Sequence, residues 1–270
     1  MRQCTINKIA VGGDAPVRVM GVINCSPESF YADSYIPTGD IHAKAVEMVE
    51  AGADILDLGA RSTAPHAQAI SGTEEAGRID EALRELDGSG FTISVDTMNP
   101  WVLDVCLKHE IHAVNDIAGF CSAAYVRRVA DAGLPAIVMA TNYQPGDAVG
   151  VAATHDALAA VMQRCADAGI DNYVLDPGIG LWTPLRSVDD DWELSRCFGE
   201  FLRYDRPLLA AVSRKSFIGN LLDREPQDRL YGSLAVTMTL LQKGASLVRT
   251  HDVQPTVDTV RVFERLVQRR

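Results

Sequence analysis

The chain has 270 residues, 47% of them hydrophobic, with a formal net charge of -11 and a pI near 5.0. That length suits one α/β barrel, which needs roughly 250 residues, and the acidic balance argues against nucleic acid or an anionic membrane surface as a partner. The six cysteines (Cys4, Cys25, Cys106, Cys121, Cys165, Cys197) form no C-x-x-C pair, which argues against zinc and fits the reduced thiols of a cytoplasmic enzyme; no membrane span or secretory leader is expected.

Strand-like and helix-like segments alternate along the whole chain. Residues 17–23 read as a strand, 41–50 as an amphipathic helix and 55–58 as a strand. A charged helix over 74–86, a strand over 93–95 and a helix over 100–108 follow, the last opened by Pro100. A short apolar run at Ala113-Val114 precedes a helix over 123–132. A strand over 135–139, a helix over 152–168 and a strand over 173–175 come next. Residues 193–204 are expected to be helical and 207–212 to be a buried strand. The chain closes with a helix over 230–243, a strand over 247–249 and a helix over 257–267.

Helices that stop at Gly52, Gly133, Gly169 and Gly244 are each followed shortly by a strand, the mark of a recurrent αβ turn with glycine at the helix C-terminus. About eight β-α units in one chain fit a closed (β/α)8 barrel better than an open sheet. No G-x-G-x-x-G follows the first strand, which counts against dinucleotide binding. No linker or composition break divides residues 1–270, so a single α/β domain is expected.

The strand ends carry the functional signal. Apolar runs terminate at Asp96-Thr97, Asn115-Asp116, Asp176-Pro-Gly-Ile-Gly180, Ser213-Arg-Lys-Ser216 and Arg249-Thr-His251-Asp252. One polar ending is unremarkable, but several on successive strands point to one shared site. In a barrel of this kind, that site lies at the C-terminal ends of the strands. Two cations between hydroxyls at 213–216 suit a phosphate or a polar heterocycle.

At these residues the chain resembles the dihydropteroate synthase family. Met20-Gly-Val-Ile-Asn24-Cys-Ser-Pro27-Glu-Ser-Phe30 is similar to that family's first-strand motif, and Ala53-Asp-Ile-Leu-Asp-Leu-Gly59 with Ser62-Thr63 and Pro65 to its second. Ser94-Val-Asp96-Thr, Asn115-Asp-Ile, Asp176-Pro-Gly-Ile-Gly180, Ser213-Arg-Lys215-Ser-Phe-Ile-Gly219 and Arg249-Thr-His251-Asp-Val follow in the family's order. The resemblance spans nearly the whole chain. It implies condensation of 6-hydroxymethyl-7,8-dihydropterin pyrophosphate with an arylamine and release of pyrophosphate, in folate or methanopterin synthesis.

The resemblance also implies residue roles. Asp96, Asn115, Asp176 and Lys215 would meet the hydrogen-bonding edge of the pterin, with Met139 and Leu181 packed on the ring and Arg249 flat against it. Asn24 would touch Mg2+ and the pyrophosphate, and Arg249 and His251 would hold the phosphates, where negative charge develops as the C–O bond breaks. Lys215, Asp96, Arg249 and His251 would thus carry the catalysis. The arylamine would lie near Phe30, Thr63, Pro65 and Ser216.

The chain departs from the family around the second substrate. Ala60-Arg61-Ser62-Thr63-Ala64-Pro65-His66 lacks the cation that usually follows the threonine, and Arg61 stands three positions earlier. Leu181 stands where a phenylalanine is usual, and Trp182-Thr183-Pro184 replaces a small residue and a lysine. Ser-Pro-Glu-Ser-Phe-Tyr and Ser-Thr-Ala-Pro resemble the archaeal-type branch, so an arylamine with a ribose phosphate, held by Arg61 or His66, is expected to outrank plain 4-aminobenzoate. The loops after the first two strands are expected to be mobile until ligand binds. A homodimer through the apolar helix at 230–241 is also expected. Competing readings are a pterin-dependent corrinoid methyltransferase and a non-catalytic pterin-binding paralogue.

Overall fold

The computed structural model describes residues 1–27, 35–62 and 69–267. It opens with a short antiparallel hairpin, β1 (Cys4–Ile6) and β2 (Ile9–Val11). Eight parallel strands follow: β3 (Arg18–Asn24), β4 (Ile55–Gly59), β5 (Ile93–Asp96), β6 (Ala113–Asp116), β7 (Ala136–Met139), β8 (Tyr173–Asp176), β9 (Leu209–Ala210) and β10 (Leu247–Thr250). Strands β3 to β8 pair in sequence order, β10 pairs with β3, and β9 pairs with β10. The ring closes between β8 and the approach to β9, where Leu175 bridges Leu208 and its N–H donates to the Pro207 carbonyl at 2.9 Å. The expected single α/β barrel is the fold observed.

Helices α1 (Ile41–Glu50), α2 (Gly72–Leu86), α3 (Pro100–Cys106), α4 (Ala123–Asp131), α5 (Gly150–Asp167), α6 (Val188–Cys197), α7 (Ser216–Leu222), α8 (Leu230–Gln242) and α9 (Val253–Val267) connect the strands. Side-chain caps set the starts of α2, α3 and α4: Ser71 accepts from Glu74 N–H, Asn99 from Trp101 N–H and Ser122 from Tyr125 N–H. Helices α1 and α8 are closed by left-handed glycines, Gly52 (φ +101°) and Gly244 (φ +98°).

Three expectations change. The stretch 193–204 is not one helix: α6 ends at Cys197, and Phe198–Tyr204 is a 3-10 segment. The expected strand at 207–212 pairs only over Leu209–Ala210. The last helix starts earlier, at Val253. The hairpin and α7 were not anticipated, because three-residue strands and a seven-residue helix carry too little periodicity to read.

Alternation along the strands divides the barrel into two cores. Residues such as Leu56, Leu58, Val95, Val114, Val138, Leu175 and Val248 point outward into the apolar layer beneath the helices. Met20, Ile55, Ala113, Ile137, Val174, Leu209 and Leu247 point inward, and with Cys4, Ile6 and Val11 of the hairpin they form a second apolar cluster that plugs one end. The inward positions two residues further along the strands are Val22, Asp57, Asn115, Met139, Asp176, Ala211 and Arg249. The barrel interior thus changes from apolar to largely polar within one side-chain layer, toward the C-terminal strand ends.

Candidate active site at the strand tips

Arg249 on β10 is the hub of the polar layer. Its Nε donates to Asp57 Oδ2 at 2.6 Å, and its Nη2 donates to Asp96 Oδ2 at 2.8 Å. Asn115 on β6 donates from Nδ2 to the same Asp57 oxygen at 2.9 Å. Strands β4, β5 and β6 are thereby tied to β10. Asn24, at the end of β3, is close by: a Cβ placed on Gly59 would lie 3.6 Å from Asp96 Cβ and 3.9 Å from Asn24 Oδ1.

Asp176 and Lys215 form the other side. Asp176, at the end of β8, accepts from Gly178 N–H at 2.7 Å. Lys215 follows β9 and donates from Nζ to the Ile179 carbonyl. Trp182, in the place of the family's small residue, donates from Nε1 to the Gly178 carbonyl at 2.9 Å, and Lys215 Nζ sits 4.9 Å from the centre of its ring. Met139 lies against the same turn, with its Cγ 3.0 Å from where a Gly178 Cβ would stand. Leu181 is half-buried next to it.

Burial dominates the electrostatics. Desolvation pushes Asp96 up to about 7, with Arg249 opposing and the nearby Asp57 carboxylate adding to the rise. Burial also raises Asp176, against the attraction of Lys215. Burial lowers Lys215 to about 8, although Asp176 and Asp191 favour its charged form. For Arg249, burial works against the charge, but Asp57 and Asp96 outweigh it and hold the guanidinium cationic. His251 is lowered to about 3, by burial first and then by Arg249, Arg214 and Lys215, which favours the neutral imidazole. Its Nδ1 lies 3.1 Å from Ser213 Oγ.

Two charged residues differ from expectation. Arg214, the other cation of the Ser213–Ser216 block, has φ +57° and is tied to Asp252 through Nε at 2.8 Å and Nη2 at 2.6 Å, and to the carbonyls of Pro226 and Gln227. It shapes the loop, and Lys215 is the cation turned toward Asp176. Arg61 lies 3.8 Å from the buried Glu75, which accepts from Thr97 Oγ1 at 2.6 Å. Asp57 was missed as a site residue, although a carboxylate at an inward position of a barrel strand is a readable signal. Phe30, Thr63, Pro65 and His66, and most of the two loops expected to be mobile, lie outside the described residues. Ser216 is the first residue of α7, half-buried beside Lys215.

The arrangement offers anionic acceptors at Asp96 and Asp176, an ammonium donor and an amide at one end of the barrel. A planar, polar heterocycle with a fixed array of donors and acceptors matches such a set, and the fold and site together define a pterin-binding barrel. The pterin binding enzyme family matches residues 20–251. The dihydropteroate synthase of Escherichia coli K12 is 33% identical over 263 residues, covering 91% of this chain and 90% of that protein. The Xanthomonas albilineans dihydropteroate synthase solved with 4-aminobenzoic acid superposes with a TM-score of 0.87 at 31% identity, covering 99% of both chains. The Coxiella burnetii enzyme in complex with pteroic acid gives 0.85 at 28% identity, over 98% of both.

This chain belongs to the dihydropteroate synthase family and is an enzyme of folate biosynthesis with that activity. These relatives are bacterial, so the archaeal-type resemblance of the two loops is not supported. Among the described residues, no helix is long and apolar enough to cross a membrane.

Proposed function

We propose that the strand-tip pocket binds 6-hydroxymethyl-7,8-dihydropterin pyrophosphate and transfers its pterin-methylene group to 4-aminobenzoate. The observation that carries this reading is the Asp96–Arg249–Asp57–Asn115 network facing Asp176 and Lys215. Asp96 and Asp176 accept from pterin N–H groups. Lys215 donates to ring acceptors, and Asn115 offers its Oδ1 and its remaining N–H. Both hydrogen bonds of Arg249 lie in the guanidinium plane, so its faces stay suited to stacking on the ring, while Met139 and Leu181 pack against it.

In the reaction, the amine lone pair forms a C–N bond to the methylene carbon. The C–O pair leaves with pyrophosphate, and the amine loses a proton. No strong base is needed, because the pterin itself stabilises the developing cation and the amine chiefly needs placement. His251 and Arg249 receive the charge that grows on the leaving oxygens. The arriving anion favours protonation of His251, whose charge is otherwise suppressed by burial and by three neighbouring cations.

Magnesium fits as an ion carried by the pyrophosphate. Asn24 would supply one neutral oxygen, and among the described residues no group of three or more His, Cys, Asp or Glu side chains forms a cage of its own. Such an ion would supply further charge neutralisation at the leaving group. The arylamine is assigned to Ser216 at the start of α7, together with Phe30, Thr63 and Pro65 outside the described residues. With Arg61 drawn to Glu75, the main argument for a phosphate-tailed amine loses its support. A homodimer is proposed through the outer face of α8, where Tyr231 is 84% exposed, although Val236, Leu240 and Leu241 of the same helix are buried against the barrel; sedimentation at a monomer mass would contradict it.

The test is steady-state kinetics with the pterin pyrophosphate. Pyrophosphate release dependent on amine, with a higher kcat/KM for 4-aminobenzoate than for ribofuranosyl-aminobenzene phosphate, is expected. No release with either amine, or the reverse preference, would overturn the reading.

A further inference from the structure

We infer that Asp57 is a positioning residue: its buried carboxylate grips Asn115 and Arg249 at once and fixes the direction in which both face the pocket. The inference rests on the reading that this pocket takes a dihydropterin.

Asp57 sits in the middle of β4, flanked by Leu56 and Leu58, and is 0% exposed. Substrate therefore reaches it only through the groups it holds. Its Oδ2 accepts from Asn115 Nδ2 at 2.9 Å and from Arg249 Nε at 2.6 Å. An ionised carboxylate can only accept. The Asn115 amide must then present its NH2 to Asp57 and turn Oδ1 the other way, so the orientation of the amide is dictated and not free to flip. With Asp57 in place, what Asn115 offers the pocket is one acceptor and one remaining N–H.

Arg249 is constrained in the same manner. Asp57 holds Nε and Asp96 holds Nη2 at 2.8 Å, and two bonds on different nitrogens fix the plane of a rigid guanidinium. Without Asp57, Arg249 would be held from one point and could rotate about it. Asp57 Oδ1 is buried and has no hydrogen-bond partner. A well-packed core does not retain such an atom for stability, and a group kept for the orientation it imposes accounts for it.

The test uses the full-length enzyme with Asp57→Asn, which keeps the shape and removes the charge. The KM for the pterin pyrophosphate is expected to rise at least tenfold while the KM for the arylamine moves less than twofold. In an Asn115→Ala background the same substitution should change the pterin KM at least threefold less than in the wild type, because part of its action runs through Asn115. Additive effects, or a pterin KM within threefold of wild type, would overturn the inference. Should Asp57→Asn fail to fold, Asp57→Glu moves the carboxylate by one methylene and keeps its charge. A pterin KM raised at least threefold then supports the role, and an unchanged one overturns it. A wild-type enzyme that does not turn over the pterin pyrophosphate would instead sink the reading of the pocket itself.

Discussion

The two ends of this barrel are built from the same strands by opposite rules. At one end, Cys4, Ile6 and Val11 of the N-terminal hairpin are completely buried against Met20, Ile55, Ile137, Val174 and Leu247. That end is sealed by apolar area and presents no chemistry. At the other, one inward layer further along, Asp57, Asn115, Asp176 and Arg249 take the equivalent positions. There burial suppresses charge, so Asp96 rises to about 7 and Lys215 falls to about 8. On the proposed reading, stability and function occupy successive side-chain layers: the plug holds the ring together while the tips keep charges in an environment that disfavours them.

That division can be broken from either side. The largest effect is expected from Asp176→Ala, which leaves pterin N–H groups unpaired in a desolvated pocket. Calorimetry with a pterin analogue should show a loss of about 2–5 kcal/mol in binding with the fold intact; a loss below tenfold in affinity would contradict it. From the sealed end, Ile6→Ala should cost about 2–5 kcal/mol of folding stability, since it opens a cavity in a closed cluster. Denaturant unfolding should report that loss while kcat and both KM values stay within about twofold.

The pH dependence sharpens the same contrast. Asp96 is raised to about 7, so it binds a proton as pH falls below that value and can no longer accept two ways from the pterin and Arg249. The KM for the pterin should rise below about pH 7, by at most about tenfold per unit, and Asp96→Asn should flatten that limb. Lys215 loses its proton above about 8, which removes the ammonium donor on the alkaline side. For stability the signs are opposite. A raised Asp96 makes the folded state lose stability as pH climbs from about 4 to 7, and a lowered Lys215 makes it gain stability above about 8. The smallest effect is expected at Arg61, whose 3.8 Å pair with Glu75 is partly exposed. Arg61→Ala should change stability by less than about 1 kcal/mol and leave the preference between amines unaltered; a shift in that preference would return Arg61 to the second-substrate site.

Much of this was readable from the chain. Buried runs ending in Asp96, Asn115, Asp176 and Arg249 are visible because a polar residue closing an apolar strand stands out, and glycine stops mark where helices give way to strands. The convergence of those tips followed from the barrel's topology. Asp57 was hidden because it lies inside a strand between two leucines, where only the period of two reveals that it faces inward with Ile55. Arg214 misled because its role depends on Asp252, 38 residues away. Neither the hairpin plug nor the 3-10 segment at Phe198–Tyr204 has enough length to leave a period in the sequence.

A crystal structure with the pterin pyrophosphate bound tests the central claim most directly. The ring is expected across the strand tips, with its edge within about 3 Å of Asp96, Asn115 and Asp176, the Arg249 guanidinium on its face, and the phosphates toward His251 and Asn24. A ring bound elsewhere on the barrel, or at the tips without contact to Asp96 and Asp176, would contradict the account.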